Sequence, residues 1–447
     1  MKWLILSLIF VLLGGMVFAF STCRSASAGG RVEITLFCWP FATLIKVNRE
    51  RIAIYEKEHP HVKIRLVSGD EEKYLTMVTG GVAPDIAVSG PSEMHYYARR
   101  NAILPLDDFI EKDKSFSTDD FFPVAIETMR YRGKIYGLPD NGSPVALIYN
   151  KEMFDQYNKA HPEDPIDYPN DSWTWDDFRH AAKALTKDLD GDGQPDVYGT
   201  IIDFYRNRFP IAVWSFGGEV ISKDKKRCLM DSPQAIAAVR MLRDIIWVDK
   251  SAPSAFTQFA GVSEQSHTTL FREERVAMIM STRYLYDGLL GKTKFEWDVG
   301  PLPKGPAGRV SLYIADGWII SSQSLHPDEV WKLAKFLVSP LSAEIGMRNG
   351  RGISCTKAIA KKFLCHPGVK PPHECVWIDM INVSRPKDFE FRFGIARVRW
   401  SESSGGNGEG VFTYRTPYSY GFDRIRNPQA PPTLRAVDVH NYYPLLE

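Results

Sequence analysis

The sequence has almost no net charge, because 55 Lys and Arg residues are balanced by 54 Asp and Glu residues. Proteins that bind nucleic acid through its phosphates usually carry a clear excess of basic residues. We therefore exclude nucleic acid as a partner. The 447 residues suffice for two or three domains, and a hydrophobic fraction of 44% is typical of a globular chain.

Cysteine is scarce, and none of the six cysteines forms a CxxC pair. This argues against a zinc knuckle and against a thioredoxin-type redox centre. Cys355, Cys365 and Cys375 are close enough in sequence to pair among themselves. The N-terminal processing predicted below would remove or modify Cys23 and leave five thiols. Because five is an odd number, at least one of them stays outside an intramolecular disulfide.

Beyond residue 20 the chain lacks any long apolar run. The run at residues 3–20, WLILSLIFVLLGGMVFAF, follows Lys2 and precedes small residues, which is the pattern of an export signal. Ala26–Ala28 suits signal peptidase, whereas Cys23 suits lipid modification, although Phe20 stands where a lipobox usually has Leu. We predict a signal over residues 1–28, or one ending before Cys23, and an exported chain that is periplasmic or lipid-anchored on the outer face of the cytoplasmic membrane.

Catalytic motifs are missing as well. The sequence contains neither GxSxG nor HExxH, and Gly291–Thr293 (GKT) has Tyr286 where a P-loop needs its first glycine. The paired carboxylates Asp107–Asp108 and Asp176–Asp177 are adjacent, so they cannot flank a glycosidic bond from opposite sides. We predict that the chain is not an enzyme, with a secreted carbohydrate-active enzyme as the alternative.

What the sequence does contain, from Arg31 onward, is an alternation of short apolar runs with helical periods. VEITLFCWP is typical of a buried strand, VKIRLVSG and DIAVSG are typical of further strands, and amphipathic helical segments separate them. Such a β-α-β-α-β order predicts a parallel wound sheet of the α/β class. Ligands of open α/β sheets bind beyond the carboxyl ends of the strands, which here carry Trp39, Ser68 and Ser89–Gly90.

The order of the motifs resembles the family 1 extracellular solute-binding proteins of ABC importers, the group that includes the maltose-binding protein. The matching pieces over about residues 31–360 include YEKEHPHVKI, GGVAPDIAVSG, RGKIYGLPDNGSPVALIYNKEMF, WTWDDFRHAAKALTKDLDGDGQPDVYGT and FEWDVGPLPKGPAGRVSLYIADGWIIS. The resemblance implies a periplasmic-binding-protein-like fold: two α/β lobes, a multi-crossing hinge, and a ligand cleft between the lobes.

The resemblance also implies where the chain changes lobes. The expected crossings lie near Leu138–Asn141, Val299–Pro301 and Asp316–Ile320. Pro139, Gly142 and Pro144 are predicted to form a break between two strands, which fits the first crossing, because a chain changing lobes needs both fixed and permissive dihedral angles. The predicted first lobe is 31–139 with about 299–320, and the second is 140–298 with about 321–400.

The resemblance ends near Trp400. The low-complexity stretch SESSGGNGEG follows, and residues 401–447 show no sustained helical or strand period. Family members usually end in an amphipathic helix that packs on a lobe. We predict a poorly ordered, atypical tail over residues 401–447, which is either specific to the lineage or the result of a frame error near Ser401–Ser404.

A sugar cleft needs flat aromatic faces for stacking and polar groups that satisfy the hydroxyls. Candidates stand at strand ends, in the loops after them and at the crossings. In the first lobe and first crossing they are Trp39, Asp85, Ser89, Gly90 and Asn141. In the second lobe and at the other crossing they are Trp214, Phe216, Ser281, Arg283, Tyr284, Asp316, Trp318 and Arg351. For each, the alternative is a structural role, as a core aromatic or a polar turn residue.

The stretch DLDGDGQPDVYG at residues 188–199 raises the question of a metal. Its carboxylates and amide follow the spacing of a calcium loop: Asp188, Asp190, Asp192, Gln194 and Asp196. The bidentate Glu of an EF-hand is missing, since Gly199 stands at position 12. A polar helix-to-strand connection is therefore favoured, with a structural calcium ion as the alternative. No other cofactor is expected.

These observations predict a monomeric, extracytoplasmic component of an ABC importer. It would bind a carbohydrate, an oligosaccharide by preference, through hinge closure and deliver it to the transmembrane permease subunits. The same fold could instead bind a non-sugar solute such as glycerol phosphate, for which Arg283 and Arg351 are the available cations. A sensory role toward a membrane receptor is a further alternative.

Overall fold

The computed structural model describes residues 31–202, 208–223, 227–253, 264–285, 289, 291–369 and 371–386. The predicted export signal, Cys23 and the predicted tail at 401–447 lie outside the described residues. No helix in the part that is described has the length and apolar character needed to cross a membrane.

Strands and helices alternate along most of this length. The strands are β1 (Val32–Cys38), β2 (Val62–Ser68), β3 (Ile86–Ser89), β4 (Arg130–Tyr131), β5 (Lys134–Ile135), β6 (Gly137–Asn150), β7 (Tyr198–Ile201), β8 (Val276–Thr282), β9 (Trp297–Gly300), β10 (Ser311–Ile320), β11 (Ile353–Ser354) and β12 (Ser384–Pro386). The helices are α1 (Ala42–Glu58), α2 (Glu71–Thr79), α3 (Pro91–Arg99), α4 (Asp107–Lys112), α5 (Pro123–Thr128), α6 (Lys151–Ala160), α7 (Trp175–Ala184), α8 (Phe209–Ser215), α9 (Pro233–Trp247), α10 (Glu264–Arg272), α11 (Pro327–Leu337), α12 (Pro340–Arg348), α13 (Lys357–Leu364) and α14 (Val376–Asn382).

The first three strands form the parallel sheet that the sequence predicts. β1 pairs in parallel with β2 on one side and with β3 on the other, and helices α1 and α2 make the crossovers. β1 ends in a fully buried stretch, which fits its near-continuous apolar sequence. The prediction of an α/β architecture is confirmed.

Strand β6 joins the two parts of the sheet. Its first half pairs with β10, whereas its second half pairs with β8 and β9, and β8 pairs in turn with β7. All 14 residues of β6 are buried. The predicted break at the first crossing is therefore wrong: Pro139 and Pro144 lie inside one continuous strand, and the chain passes between lobes without leaving the sheet.

A register shift marks this strand at the hinge. Asp316 on β10 pairs with Asn141, but the next residue, Gly317, pairs with Pro139, so the pairing skips Asp140. Such a bulge turns a side chain away from the regular alternation of a strand. Asp140 thereby reaches Arg51 on α1.

Helix α11, which follows residue 320, packs on elements from the N-terminal part of the chain. Helix α11 was expected in the second lobe, but Trp331 stacks on Phe109 and its Nε1 donates to Asp113 at 3.0 Å. Phe336 packs beside Tyr55 of α1, with ring centroids 5.1 Å apart. The apolar face of α11 thus covers elements of the first lobe, which local patterns could not assign.

Of the three C-terminal cysteines, two form a disulfide and the third is a thiol. Cys365 and Cys375 form a disulfide between the end of α13 and the start of α14. Cys355 is buried beside the Tyr313 hydroxyl, at 3.4 Å, and is in no disulfide. The prediction that some of these cysteines pair among themselves is confirmed.

Candidate functional site

A chain of charged and polar side chains, all buried except the partly buried Tyr284, connects elements of both lobes at the hinge. We call it the hinge network, and its members are Arg51, Asp140, Asn141, Tyr284, Asp316 and Arg351. Arg51 on α1 donates from Nη1 and Nη2 to the two carboxylate oxygens of Asp140 at 2.9 and 3.0 Å. Its Nη2 also donates to the Ser342 carbonyl at 2.9 Å. This bidentate pair joins α1, β6 and α12.

Arg351 lies in the loop after α12 and is shared by two carboxylates. Its Nη1 donates to Asp140 at 3.0 Å, and its Nη2 donates to Asp316 at 2.7 Å. The two arginines therefore balance the two carboxylates within the network. Such balance is needed here, because an unpaired charge at these buried positions would be costly.

Asn141 carries the network into the second lobe. Its Nδ2 donates to Asp316 at 2.7 Å, and its Oδ1 accepts from the Tyr284 hydroxyl at 2.7 Å. Tyr284 belongs to the 3₁₀ turn that follows β8. A side chain after β8 thus bonds directly to a side chain at the hinge.

The two carboxylates of the network respond differently to burial. Burial acts to raise the pKa of Asp140, but the guanidinium groups of Arg51 and Arg351 overcome it and hold the pKa below its usual value. Burial raises the pKa of Asp316 to about 6; Arg351 opposes that rise, and the charge of Asp140 adds to it. The pKa of Tyr284 is also raised well above its usual value, mainly by burial and secondly by the charge of Asp316.

Arg283 stands beside the network and is held at three points. Its backbone N–H donates to Ser143 Oγ at 2.9 Å, and its Nη1 donates to the Gly352 carbonyl at 2.9 Å. Its Nε donates to Glu374 at 3.1 Å, and the Glu374 side chain is fully buried. The positive charge of Arg283 is therefore neutralised within the protein.

An aromatic pair lies at the carboxyl end of β1. Trp39 is half-buried, and its ring makes an edge contact with Phe41, at 6.4 Å between centroids. Phe41 is 63% exposed, so much of its ring is open to solvent. The sequence reasoning selected Trp39 but missed Phe41, whose place directly before α1 was the available signal.

Several other predicted residues come near the hinge network. Ser89 ends β3 and pairs with Gly317, the neighbour of Asp316, and Gly90 begins α3. Ser281 lies near the end of β8 and is buried. The structure thus joins Asn141, Tyr284, Asp316 and Arg351, with Arg283 beside them and Ser89 paired with the residue next to Asp316.

Asp85 is not brought to this group. It precedes β3, at the opposite end of that strand from Ser89. Its carboxylate accepts from the Thr35 backbone N–H at 2.8 Å and from the Ser324 hydroxyl at 2.7 Å. The arrangement is that of a structural carboxylate tying β1 to the chain after β10.

Two predicted stacking aromatics are buried in the structure. The Trp318 side chain is fully buried, so it offers no open face to a ligand. Trp214 on α8 is only 4% exposed, and the Arg385 guanidinium lies over its ring at 4.5 Å. Phe216, which ends α8, packs partly buried against the core. In these positions the large ring serves the core, as bulky aromatics commonly do.

Sequence reasoning missed Arg51, Asp140 and Glu374. Arg51 had a detectable signal, because it lies on the helical face that also carries Val47, Asn48 and Tyr55, all buried. A charged residue on an otherwise inward face requires a buried partner. Glu374 had no such local signal, since its partner Arg283 lies 91 residues away in sequence.

The calcium-like loop is ordered by its own hydrogen bonds. Asp188 accepts from the backbone N–H groups of Gly191 and Gly193, both at 2.8 Å, and those bonds lower its pKa. Carboxylate oxygens of Asp188, Asp190 and Asp196 lie within 4.8 Å of one another. Asp192 is not in this group, so three of the four predicted carboxylate ligands converge.

Comparison with known proteins gives the family. The profile of the family described as bacterial extracellular solute-binding protein matches residues 40–343. A binding protein of Brucella abortus (strain 2308) is 26% identical over 297 residues, which cover 63% of this chain and 66% of that protein. The match thus spans just under two thirds of that relative. A maltotriose-binding protein of Pyrococcus abyssi is 22% identical over 280 residues, 60% of this chain and 54% of that protein.

Solved structures agree in fold. The ABC substrate-binding protein of Listeria monocytogenes in complex with cycloalternan has a TM-score of 0.67 at 25% identity, over 80% of this chain and 88% of that one. The maltose/maltodextrin-binding domain of Bdellovibrio bacteriovorus bound to maltotriose has a TM-score of 0.61 at 18% identity, over 79% and 88%. The predicted periplasmic-binding-protein-like fold is confirmed, and the chain belongs to the bacterial extracellular solute-binding proteins.

Proposed function

We propose that this chain binds a neutral carbohydrate, preferably an oligosaccharide, between its lobes and delivers it to the permease of an ABC importer. The family and the fold support a binding role. Relatives and structural neighbours named for maltotriose and cycloalternan support a sugar of this size class. Their names are those of binding proteins, which supports a role without catalysis.

The observation that carries the proposal is the hinge network itself. Asn141 at the hinge and Tyr284 after β8 are joined directly, so a ligand that touches Tyr284 also acts on the strands that connect the lobes. Tyr284 combines an aromatic ring with a polar tip. Together with Trp39 and the exposed Phe41, it provides the flat surfaces that sugar rings prefer.

The charges at this site favour a neutral ligand over an anionic one. The guanidinium of Arg351 is engaged by two carboxylates, and that of Arg283 by Glu374. A phosphate would require breaking a buried ion pair, and separating such a pair costs about 3–5 kcal/mol. Glycerol phosphate is therefore the weaker candidate, although Arg283 and Arg351 were its predicted partners.

A glycosidase would need two carboxyl groups facing a common bond. The two carboxylates of the hinge network, Asp140 and Asp316, both contact Arg351 and are oriented by it rather than toward an open space. This supports binding rather than hydrolysis. Export and a monomeric state remain part of the proposal, with the permease subunits as partners.

A ligand screen tests this function. Maltotriose, mannobiose, cycloalternan and glycerol 3-phosphate would be added to the mature chain, with melting temperature and tryptophan fluorescence as readouts. We expect a neutral sugar to raise the melting temperature, because a ligand that binds only the folded state stabilises it. A shift with glycerol 3-phosphate alone would contradict the neutral-sugar proposal, and turnover of a bound sugar would contradict the absence of catalysis.

Matched variants locate the site. Tyr284→Phe removes the hydroxyl that bonds Asn141, while Tyr168→Phe removes a hydroxyl that bonds Asp155 on α6. We expect only the first variant to weaken sugar binding. Equal effects of the two would contradict a ligand site at the hinge.

A further inference from the structure

The disulfide Cys365–Cys375 closes a loop whose side chains bond to elements of the second lobe. The loop connects α13 to α14, and its described residues are 366–369 and 371–374. Helix α13 and the residues before it are attached to the first lobe: the Phe122 N–H donates to the Cys355 carbonyl at 3.0 Å, and Lys357 Nζ donates to the Asp119 carbonyl at 2.8 Å. The loop therefore begins on one lobe and bonds to the other.

Two consecutive side chains make these bonds. His373 Nδ1 lies 2.6 Å from an oxygen of Asp298 on β9, and its backbone N–H lies 3.2 Å from the other. Glu374 accepts from Arg283 Nε at 3.1 Å in the turn after β8. The carboxylates of Asp298 and Glu374 are both buried, but the His373 side chain is 67% exposed, whereas that of Arg283 is 13% exposed. The Glu374–Arg283 contact is therefore the one shielded from solvent.

The Glu374 backbone is held on both sides. Its N–H donates to the Pro371 carbonyl at 3.3 Å, and its carbonyl accepts from the Trp377 N–H at 3.1 Å at the start of α14. The disulfide at the next residue, Cys375, limits the loop further. The carboxylate is thus presented from a restrained backbone, which reduces the entropy lost when it holds Arg283.

Arg283 transmits this restraint to Tyr284. The Arg283 Nη1 bonds to the Gly352 carbonyl, and Gly352 lies against the ring of Tyr284: an added Cβ there would meet Tyr284 Cε1 at 2.7 Å. The Tyr284 hydroxyl then bonds to Asn141. A shift of Arg283 would therefore move the neighbouring ring and its bond to the hinge.

We propose that Glu374, held by the disulfide loop, is a positioning residue that fixes Arg283 and so orients Tyr284 for ligand binding. Glu374 acts through Arg283 and does not itself contact the ligand. This inference rests on the proposed sugar-binding function. It goes beyond that function by giving the disulfide a role in affinity in addition to stability.

The first test needs no ligand. Hydrogen exchange would be followed in the 276–285 segment of the full mature chain, comparing the original sequence with Glu374→Gln. We expect the amides of residues 283 and 284 to exchange about tenfold faster in the variant, because the guanidinium loses its charged partner. Unchanged exchange in a folded Glu374→Gln variant would overturn the proposal.

The second test measures affinity for maltotriose and cycloalternan by calorimetry. Glu374→Gln should weaken the affinity roughly tenfold, and Glu374→Asp, which keeps the charge, should recover part of it. The matched control is Asp249→Asn, which removes a buried carboxylate paired with Arg179 on α7. It should lower the melting temperature without changing affinity. If the affinity falls equally in Glu374→Gln and Asp249→Asn, Glu374 has only a structural role and the proposal is overturned.

Replacement of both Cys365 and Cys375 by Ser provides a variant that retains the Glu374–Arg283 pair, in case Glu374→Gln fails to fold. It should also accelerate exchange at residues 283 and 284, and unchanged exchange would count against the proposal. If the original chain binds neither sugar, the proposed function fails for these probes. The exchange measurements then still decide whether Glu374 positions Arg283 and Tyr284.

Discussion

Asp316 is the residue of the hinge network whose charge is most sensitive to pH. Its folded-state pKa of about 6 lies above the ordinary value of 3.8, so the folded chain binds a proton more readily than the unfolded chain between these values. Protonation of Asp316 should therefore increase the free energy of unfolding as the pH falls from 7 toward 4. The gain is about 3 kcal/mol at most, since one pKa unit corresponds to about 1.4 kcal/mol.

This sign is checked with Asp316→Asn, which cannot titrate. The free energy of unfolding of both chains would be measured with urea at pH 7 and pH 5. Relative to the variant, the original chain should be more stable at pH 5 than at pH 7. A difference that is constant between the two pH values would contradict a raised pKa at this residue. Asp140 does not interfere, because its lowered pKa places its titration below this window.

Gly352 makes a second prediction at the residue scale. Its φ is +38°, and an added Cβ would lie 2.4 Å from Asn141 Oδ1 and 2.7 Å from Tyr284 Cε1. Gly352→Ala should therefore cost about 2–3 kcal/mol in the free energy of unfolding and weaken ligand binding. The control is Gly133→Ala, at φ +83° with nothing within 4 Å, which should cost only about 1 kcal/mol and leave binding intact. Equal losses would show that crowding at Gly352 is unimportant.

At the scale of elements, metal removal tests whether the loop between α7 and β7 depends on a bound calcium ion. Its carboxylates already accept backbone N–H groups, so we expect the loop to keep its shape without calcium. EDTA should leave the melting temperature unchanged, and Asp188→Ala should lower it because two N–H groups lose their acceptor. Asp192→Ala, which removes the acceptor of a single N–H, should have a smaller effect. A fall in melting temperature with EDTA would instead establish a structural calcium ion.

At the scale of the whole molecule, charge balance predicts how binding depends on salt. The chain has a formal net charge of +1, and the arginines at the hinge are paired within the protein. A neutral sugar then gains nothing from long-range attraction, so its affinity should change less than about twofold between roughly 0.05 and 0.5 M salt. Calorimetry at the two salt concentrations checks this. A steep loss of affinity with salt would point to an anionic ligand.

Much of the fold was predictable because its signals are local. β3 is a buried apolar run, β1 is buried over its last three residues, and β2 begins by alternating buried and exposed residues. The helices between them follow the helical period, so a window of about ten residues contains the information. β6 was misread for the opposite reason. Pro139 suggests a break, yet the strand continues through the bulge at Asp140, and only pairing with β10 shows this.

The candidate site was predicted in part. Asn141, Tyr284, Asp316 and Arg351 were chosen as polar or aromatic residues at strand ends and crossings, and the structure joins them by hydrogen bonds. Trp318 was chosen by the same rule, but it faces the core. Position along a strand does not tell which side of the sheet is covered.

By itself the sequence determined the order of strands and helices, the expected export and the family, since these depend on local periodicity and on motifs in a fixed order. Only the tertiary structure decided which charges meet. Arg51 lies 89 residues from Asp140, and Arg351 lies 211 residues from it. No local pattern links such partners, because their pairing follows from how helices and strands pack. That packing neutralised the arginines that an anionic ligand would have needed.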